Sequence, residues 1–374
     1  MTRRGGRTSL GELARLFLKL GTVSFGGPAA HIAMMEDEVV RRRAWLTHEE
    51  FLDLVGAVNL IPGPNSTELA IHVGSERAGW RGLIVSGACF ILPAVAIVSA
   101  IAWAYVRFGT LPAAAGLLYG VKPVVIAVVL QALWGLGRTA LKTWWLAALG
   151  IAAALATALG VDELLVLGVA AALGVAWQTR RGAPAAGLWA AGWYAGAPAS
   201  VGLWPLFGVF LKVGAVLFGS GYVLLAFLRA DLVQRLHWLT ERQLLDAVAI
   251  GQVTPGPVFT TATFVGYVLK GASGAAVATV GIFLPAFVYV ALSTVILPRV
   301  RRSPAARAAL DAVNVASLAL MAVVTWQLAD AALVDAWTVL LAAASAVLLL
   351  RFRVNSAWLV LGGAAVGLTV HALG

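Results

Sequence analysis

Two Pro-Gly-Pro motifs interrupt apolar stretches of the sequence, at residues 62–64 and 255–257. Proline lacks an amide hydrogen and breaks a helix, so each motif frees backbone polar groups that lipid cannot satisfy. The residues after each motif begin a new helix, whose unpaired amides and positive dipole end suit an anion. A pair of proline kinks that only shapes helix packing is the alternative interpretation. The predicted anion ligands are the motif residues and their polar neighbours: Asn59, Pro62, Gly63, Pro64, Asn65, Ser66, Gln252, Thr254, Pro255, Gly256, Pro257 and Thr260.

Two other apolar stretches each contain a lysine that is followed by a glycine-rich interruption. The interruptions are Phe-Gly-Gly-Pro at residues 25–28 and Phe-Gly-Ser-Gly at residues 218–221. Glycine allows a backbone or a ligand to approach closely, although it also allows tight helix packing. The lysine could supply a cation to an anion path, or it could snorkel to the membrane interface. These additional anion-binding candidates are Lys19, Gly26, Gly27, Lys212, Gly219 and Ser220.

Three ionisable residues, Glu68, His72 and Glu76, follow the first Pro-Gly-Pro motif at intervals of four residues. This spacing places them on one face of a helix. A carboxylate or a histidine inside a membrane can bind and release a proton. Glu68 and His72 are therefore predicted to form a proton route, while Glu76 is interpreted as a marker of the membrane interface. The alternative for Glu68 is a local ion pair.

The sequence contains an internal repeat. Shifted by 193 positions it aligns with itself, and after one deletion the shift becomes 192. The matched pairs include Lys19 with Lys212, Asp53 with Asp246, Pro62 with Pro255, Pro93 with Pro285 and Trp134 with Trp326. We predict a basic N-terminal arm (1–9), a first repeat (10–177), a linker (178–202) and a second repeat (203–374). Internal repeats in a membrane protein are typical of secondary transporters.

The composition is that of an integral membrane protein. Hydrophobic residues make up 61% of the 374 residues and charged residues 12%, and the mean hydropathy is +0.90. This excludes a soluble enzyme with an anchor, and the single cysteine, Cys89, excludes a disulfide framework or a thiolate metal cage. The net charge of +10 lies in short loops that orient helices, so nucleic acid is not an expected partner. Because no metal ligand set or nucleophile triad is recognisable, we expect no cofactor and no enzyme activity.

Each half is predicted to contain a first helix, a polar loop, a segment broken by Pro-Gly-Pro and four apolar helices. The predicted helical ranges are 10–34, 51–77, 81–106, 116–136, 141–159 and 161–177, and then 203–228, 244–270, 274–297, 309–329, 334–350 and 355–373. Corresponding loops carry opposite charge: Arg138 and Lys142 match a loop with Asp330 and Asp335. Under the positive-inside rule, matching loops then lie on opposite faces of the membrane.

The predicted fold is therefore an all-α polytopic membrane protein built from two inverted structural repeats. Each repeat has about five crossings if its Pro-Gly-Pro segment dips into the membrane and returns. If that segment crosses, each repeat has six crossings and the repeats are parallel. The loop charges favour the inverted arrangement.

Four polar residues have a simple structural interpretation. Thr47 and Thr240 are predicted helix N-caps. Asp53 and Asp246, which match between the halves, then lie in the second turn of a helix, where a carboxylate supports the helix start.

Two further charged groups are left with open roles. The acidic residues 36–38, which are followed by three arginines, are interpreted as a solvated loop. Lys122, inside an apolar helix and opposite Asn314 in the repeat, is an additional candidate site.

The motifs of both halves resemble those of the chromate ion transporter family. They are Phe25-Gly26-Gly27-Pro28, Trp45-Leu46, Pro62-Gly63-Pro64-Asn65-Ser66-Thr67-Glu68, Phe218-Gly219-Ser220-Gly221-Tyr222, Trp238-Leu239-Thr240 and Gly251-Gln252-Val253-Thr254-Pro255-Gly256-Pro257. The resemblance runs from about Leu10 to the C-terminus, as in the two-domain long form of the family. It leaves out the N-terminal arm and the linker.

This resemblance implies efflux of chromate across the bacterial inner membrane, driven by the proton motive force, and hence chromate resistance. The implied partners are chromate or the similar oxyanion sulfate, protons and the lipid bilayer; a homodimer is left open. In this mechanism the dianion lies between the two broken helices, and Lys19 or Lys212 offsets its charge. A transporter or passive channel for sulfate or another anion is the alternative.

Overall fold

The computed structural model describes residues 8–25, 27–109, 112–179, 201–218, 223–352 and 354–373. Within these ranges every regular element is helical, which confirms the all-α prediction. The α-helices are α1 (Leu10–Val23), α2 (Gly27–Glu36), α3 (His48–Val58), α4 (Asn65–Phe108), α5 (Pro112–Ala140), α6 (Trp144–Ala158), α7 (Glu163–Thr179), α8 (Leu203–Val216), α9 (Leu224–Leu228), α10 (Glu241–Val253), α11 (Thr261–Arg302), α12 (Pro304–Ala332), α13 (Ala336–Phe352) and α14 (Ser356–Leu373).

Two π-helical turns and one short 3₁₀ helix complete the described elements. The π turns are Asp37–Arg42 and Arg229–Arg235, and the 3₁₀ helix is Val258–Thr260. The predicted polar loop after the first helix is therefore wrong in its first part, because α2 continues directly into the π turn. The predicted interruption near residue 25 is confirmed, since α1 ends at Val23 and α2 begins at Gly27.

Four helical stretches are long and apolar enough to cross a membrane, by length and composition. They are Asn65–Phe108, Ala115–Ala140, Val258–Ser293 and Pro304–Ala332. Five shorter apolar helices of 10–17 residues accompany them. Many tryptophans are largely exposed, including Trp134 (64%) and Trp326 (77%), as expected for side chains that face lipid or its interface. The chain is therefore a multi-pass membrane protein; the count of about ten crossings stays a prediction.

Both predicted N-caps are confirmed. The Thr47 hydroxyl accepts a hydrogen bond from the Glu50 amide, and the Glu50 carboxylate accepts one from the Thr47 amide, which is a complete capping box. Thr240 and Gln243 make the same two bonds at the start of α10. These bonds satisfy the free amides that begin α3 and α10.

The two longest helices, α4 and α11, each contain two residues with non-helical backbone angles. The kinks lie at Ala78–Gly79 and Lys270–Gly271, and both glycines have a positive φ, +63° and +62°. Glycine adopts this conformation without the steric cost that a Cβ would add. The kinks fall where the sequence predicted the boundary between the broken segment and the following helix.

The chain divides into two compact units, and each combines segments of both sequence halves. Unit 1 consists of residues 1–109, 201–221 and 250–294, and unit 2 of residues 110–200, 222–249 and 295–374. In unit 1, α1 packs on α4 where Gly21 meets the carbonyl of Phe90, and α8 packs on α11 where Gly214 meets the carbonyl of Ile282. The two crossings occupy matching positions of the repeat.

Unit 2 is built around α5 and α12. α5 packs against α13 and α14 from the second half, and α12 packs against α6 and α7 from the first half. The closest approach of α5 to α14 occurs where Gly116 and Gly120 face Gly363 and Gly367. Such spacing of small residues allows membrane helices to approach closely. The halves thus exchange helices reciprocally within this unit.

Candidate anion and proton site

Both Pro-Gly-Pro breaks lie in unit 1, and each docks on the first helix of the other sequence half. The Gly63 amide donates a hydrogen bond to the carbonyl of Leu217, the C-cap of α8 (2.8 Å). The Gly256 amide donates one to the carbonyl of Ser24, the C-cap of α1 (2.9 Å). The breaks therefore satisfy part of the freed backbone with protein rather than with lipid, as membrane depth requires. Gly63 and Gly256 also have positive φ values, +136° and +88°.

The two breaks open into different helix starts. After Pro64, the residues Asn65, Ser66 and Thr67 form the first turn of α4, and the first helical hydrogen bond is the one from the Glu68 amide to the Pro64 carbonyl (3.0 Å). The amides of this first turn come before the first hydrogen bond within the helix. Amides at the start of a helix suit an anion as hydrogen-bond donors. After Pro257 the chain instead forms the 3₁₀ helix, whose first backbone bond is from the Thr260 amide to the Pro257 carbonyl (3.0 Å).

Several predicted polar ligands around the breaks already donate to nearby groups. Thr254 and Thr260 donate their hydroxyls to backbone carbonyls, at 2.9 Å and 2.8 Å. The Asn65 side-chain amide donates to the Asn59 side-chain oxygen at 2.7 Å. Gln252 is buried near the end of α10. The hydroxyl hydrogens of Thr254 and Thr260 are thus already donated within the protein.

Glu68 is fully buried, in the first turn of α4 directly behind the first break. Its side chain has 0% exposure, and among the described residues neither carboxylate oxygen has a hydrogen-bond partner. The carboxylate lies against Gly63, where an added Cβ would overlap Oε1. Tyr289 on α11 is close enough to Glu68 for the two side chains to interact electrostatically. A buried, ionisable group without a partner inside a membrane-spanning helix is a functional candidate by default.

The other two residues of this ionisable series, His72 and Glu76, differ in burial. His72 is buried one turn after Glu68, at 7% exposure, whereas Glu76 is exposed. The second half has Thr261, Val265 and Leu269 at the matching positions. The proton-route assignment of Glu68 and His72 stays a prediction.

Sequence reasoning missed His31, a buried residue of α2. Its Nδ1 lies 3.2 Å from the Ser66 hydroxyl, and its Nε2 lies 3.1 Å from the Ser24 carbonyl. Because a carbonyl only accepts, Nε2 carries the proton in the neutral ring and Nδ1 accepts from Ser66. The Ser24 carbonyl also accepts from Gly256, so one histidine joins both breaks. Its only sequence signal is a histidine in an apolar stretch directly after the glycine-rich interruption.

Lys19 forms an ion pair that the sequence did not reveal. Its Nζ lies 2.7 Å from Glu38 Oε1, and the Lys19 side chain is 53% exposed, while that of Glu38 is 8% exposed. Arg42 and Arg43 also lie near the Glu38 carboxylate, at 3.7 Å and 3.3 Å. The interpretation of residues 36–38 as a solvated loop is wrong for Glu38, because the π turn directs it into this basic cluster. Lys212 is half-buried on α8.

The glycine-rich interruptions are only partly described. Gly27 begins α2 with a φ of +77°. Gly26, Gly219 and Ser220 lie outside the described residues.

Paired apolar helices, two helix breaks in one unit and a buried carboxylate behind one break define a membrane transport protein. The family model for chromate transporters matches residues 11–175 and 204–368. The chain belongs to the chromate transporter family, whose members are transport proteins and not enzymes.

Three curated relatives extend this comparison. The chain is 34% identical over 98% of its length to a chromate transport protein of Cupriavidus metallidurans, of which it covers 94%. It is 34% identical over 85% of its length to a chromate transport protein of Pseudomonas aeruginosa, of which it covers 81%. It is 31% identical over 84% of its length to a probable chromate transport protein of Synechococcus elongatus, of which it covers 83%. No solved structure matches the chain.

Proposed function

We propose that this protein is a secondary transporter that exports chromate from the bacterial cytoplasm across the inner membrane, coupled to the proton motive force. The substrate is inferred from the chromate transport proteins to which the chain is similar over nearly its full length. The observation that carries the mechanism is the pair of breaks in unit 1, each bonded to the first helix of the other half. Efflux of this kind would confer chromate resistance.

The proposed anion site lies between the two broken helices. Chromate and sulfate are tetrahedral dianions, and a dianion that leaves water needs protein groups to replace its hydration. The first-turn amides of α4, after Pro62-Gly63-Pro64, and the matching residues after Pro255-Gly256-Pro257 are the proposed donors. Asn59, Asn65, Ser66, Gln252, Thr254, Thr260 and the glycine-rich interruptions with Gly26, Gly27, Gly219 and Ser220 complete the proposed site.

Glu68 is the proposed proton carrier, with His72 as the next group along α4. A carboxylate next to a dianion is repulsive when ionised and compatible when protonated. The proton on Glu68 and the anion at the break therefore influence each other through their charges. Because the anion favours the protonated carboxyl, we propose that the proton moves with the anion. A dianion that leaves with one proton still carries one negative charge outward, so the inside-negative membrane potential, a component of the proton motive force, drives the export.

The proposed scaffold consists of two inverted repeats of about five crossings each. Reciprocal packing of α5 on α13 and α14, and of α12 on α6 and α7, supports a two-fold relation between the halves. Opposite loop charges support the inverted orientation.

The deciding experiment is chromate uptake into everted membrane vesicles that contain this protein, with and without an imposed pH gradient. Gradient-dependent accumulation that sulfate inhibits is the expected result. Uptake that never exceeds the external concentration would instead support a passive anion channel. If correctly inserted protein takes up sulfate but no chromate, the substrate assignment is wrong and the fold assignment stands.

Lys19→Ala and Lys212→Ala are each expected to abolish transport while the protein still inserts and folds. Both lysines are proposed to offset the charge of the anion along its path. Lys19→Ala is expected to fold because Glu38 keeps Arg42 and Arg43 as ion-pair partners. Transport in everted vesicles and the amount of protein in the membrane are the measurements. Wild-type rates in both variants would remove lysine from the mechanism.

A further inference from the structure

A buried ion pair lies in unit 2. Lys122 on α5 and Asp246 on α10 approach to 2.9 Å between Nζ and Oδ1, and their side chains are 8% and 2% exposed. Among the lysines and arginines whose side chains the structure describes, Lys122 is the one that is buried. Removing two ions from water costs more free energy than the attraction within most buried ion pairs gives back. Stability alone therefore does not explain this pair.

The internal repeat shows that the matching helices form without this lysine. Asn314 on α12 corresponds to Lys122, and Asp53 on α3 corresponds to Asp246. The matching helices, α12 and α3, nevertheless form, and α3 begins with the same capping bonds as α10. The lysine is therefore an addition to one copy and not a requirement of the fold.

Arg242 is a second cation close to the Lys122–Asp246 pair. Arg242 lies four residues before Asp246 on α10, is exposed, and acts electrostatically on Lys122. Among the described residues no carboxylate forms an ion pair with Arg242; the neighbouring Glu241 pairs with Arg229 at 2.6 Å. The group of Lys122, Arg242 and Asp246 therefore has a net positive charge. The positions that correspond to them in the repeat, Asn314, Glu49 and Asp53, have a net negative charge.

The spacing on α10 gives Asp246 an alternative partner. Side chains four residues apart on a helix lie next to each other, so the Asp246 carboxylate can turn from Lys122 to Arg242. That rotation leaves three ammonium donors of Lys122 without their anion. An incoming oxyanion can then take the place of the carboxylate.

We propose that Lys122 and Arg242 form a tetrahedral-oxyanion subsite in unit 2, where the oxyanion replaces Asp246 on Lys122 while Asp246 pairs with Arg242. The choice of oxyanion rests on the proposed function.

The test is equilibrium dialysis of the purified full-length protein in detergent against labelled sulfate and, separately, chromate, at constant ionic strength. The variant is Lys122→Gln with Asp246→Asn. It removes both charges together, so neither charge is left buried without its partner. The matched control is Lys142→Gln with Asp311→Asn, an exposed lysine–aspartate pair of the same unit with a separation of 2.8 Å. The expected result is a loss of oxyanion affinity of about tenfold or more in the variant, as for one charge-assisted hydrogen bond, and no change in the control.

Arg242→Gln provides a second arm that leaves the buried pair intact. Because Arg242 is exposed, the variant should fold normally and bind the oxyanion a few-fold more weakly. Wild-type affinity in the Lys122/Asp246 variant would show that the pair is only structural, and wild-type affinity in Arg242→Gln would overturn the two-cation subsite even if the double variant does not fold. No oxyanion binding by the wild type would overturn both the subsite and the proposed function.

Discussion

Glu68→Gln is expected to abolish accumulation of substrate against its gradient while leaving the protein folded. Glutamine has the size of glutamate but cannot release a proton, so the proposed coupling group is removed with little change in volume. If one proton is coupled to each transport event, a pH gradient of about one unit concentrates substrate about tenfold, because about 1.4 kcal/mol corresponds to a factor of ten. The variant should show no such concentration, although downhill movement can persist.

The folding expectation follows from the surroundings of Glu68. Both carboxylate oxygens lie without hydrogen-bond partners among the described residues, so the substitution breaks no existing bond. The unfolding midpoint in detergent should therefore stay close to that of the wild type. Glu76→Gln is the matched control, since Glu76 is exposed on the same helix two turns later and should transport normally.

Two measurements decide the role of Glu68: uptake into everted vesicles at several imposed pH gradients, and thermal unfolding of the same protein. A Glu68→Gln variant that responds to the gradient like the wild type would exclude Glu68 as the proton carrier. His72 would then be the next group to test, because it lies one turn further along α4.

The sequence predicted the features that depend on local chemistry. Thr47 and Thr240 were predicted as N-caps because a short hydroxyl side chain reaches the amides of its own helix. The interruption near residue 25 is predicted because glycine and proline disfavour a helical backbone there. Such effects act within a few residues, so a single sequence contains the necessary information.

The missed contacts join residues that are distant in the chain. His31 meets Ser66 across 35 positions, and Lys19 meets Glu38 across 19. The sequence indicates Lys122 as a candidate, but its partner Asp246 lies in the other sequence half. These pairs depend on how helices pack, and hydrophobic periodicity gives the buried face of a helix without naming its neighbour. For the same reason, the internal repeat does not predict that each of the two compact units contains segments of both sequence halves.

Alanine substitutions at the two break glycines are expected to have large and different effects. Both residues have positive φ, so either alanine should cost about 1–3 kcal/mol in backbone strain. Gly79→Ala is the control for strain alone, because Gly79 has a φ of +63° and no atom within 4 Å of an added Cβ.

Gly256→Ala should be the more destabilising of the two substitutions. Its Cβ would lie 2.7 Å from the Cβ of Ala94 and 3.1 Å from the carbonyl oxygen of Gly21, and neither atom can move without displacing a helix. Overpacking of this kind adds about 1–3 kcal/mol to the strain. The unfolding midpoint should therefore fall well below that of Gly79→Ala.

Gly63→Ala should affect transport more than stability. Its Cβ would overlap Oε1 of Glu68, which is the end of a flexible side chain and can rotate away. The stability loss should therefore match that of Gly79→Ala, while the carboxylate is displaced from the break where the anion is proposed to bind. Vesicle transport and thermal unfolding of the three variants separate these effects. If Gly63→Ala transports as well as Gly79→Ala, the close contact between the first break and Glu68 has no part in coupling proton to anion.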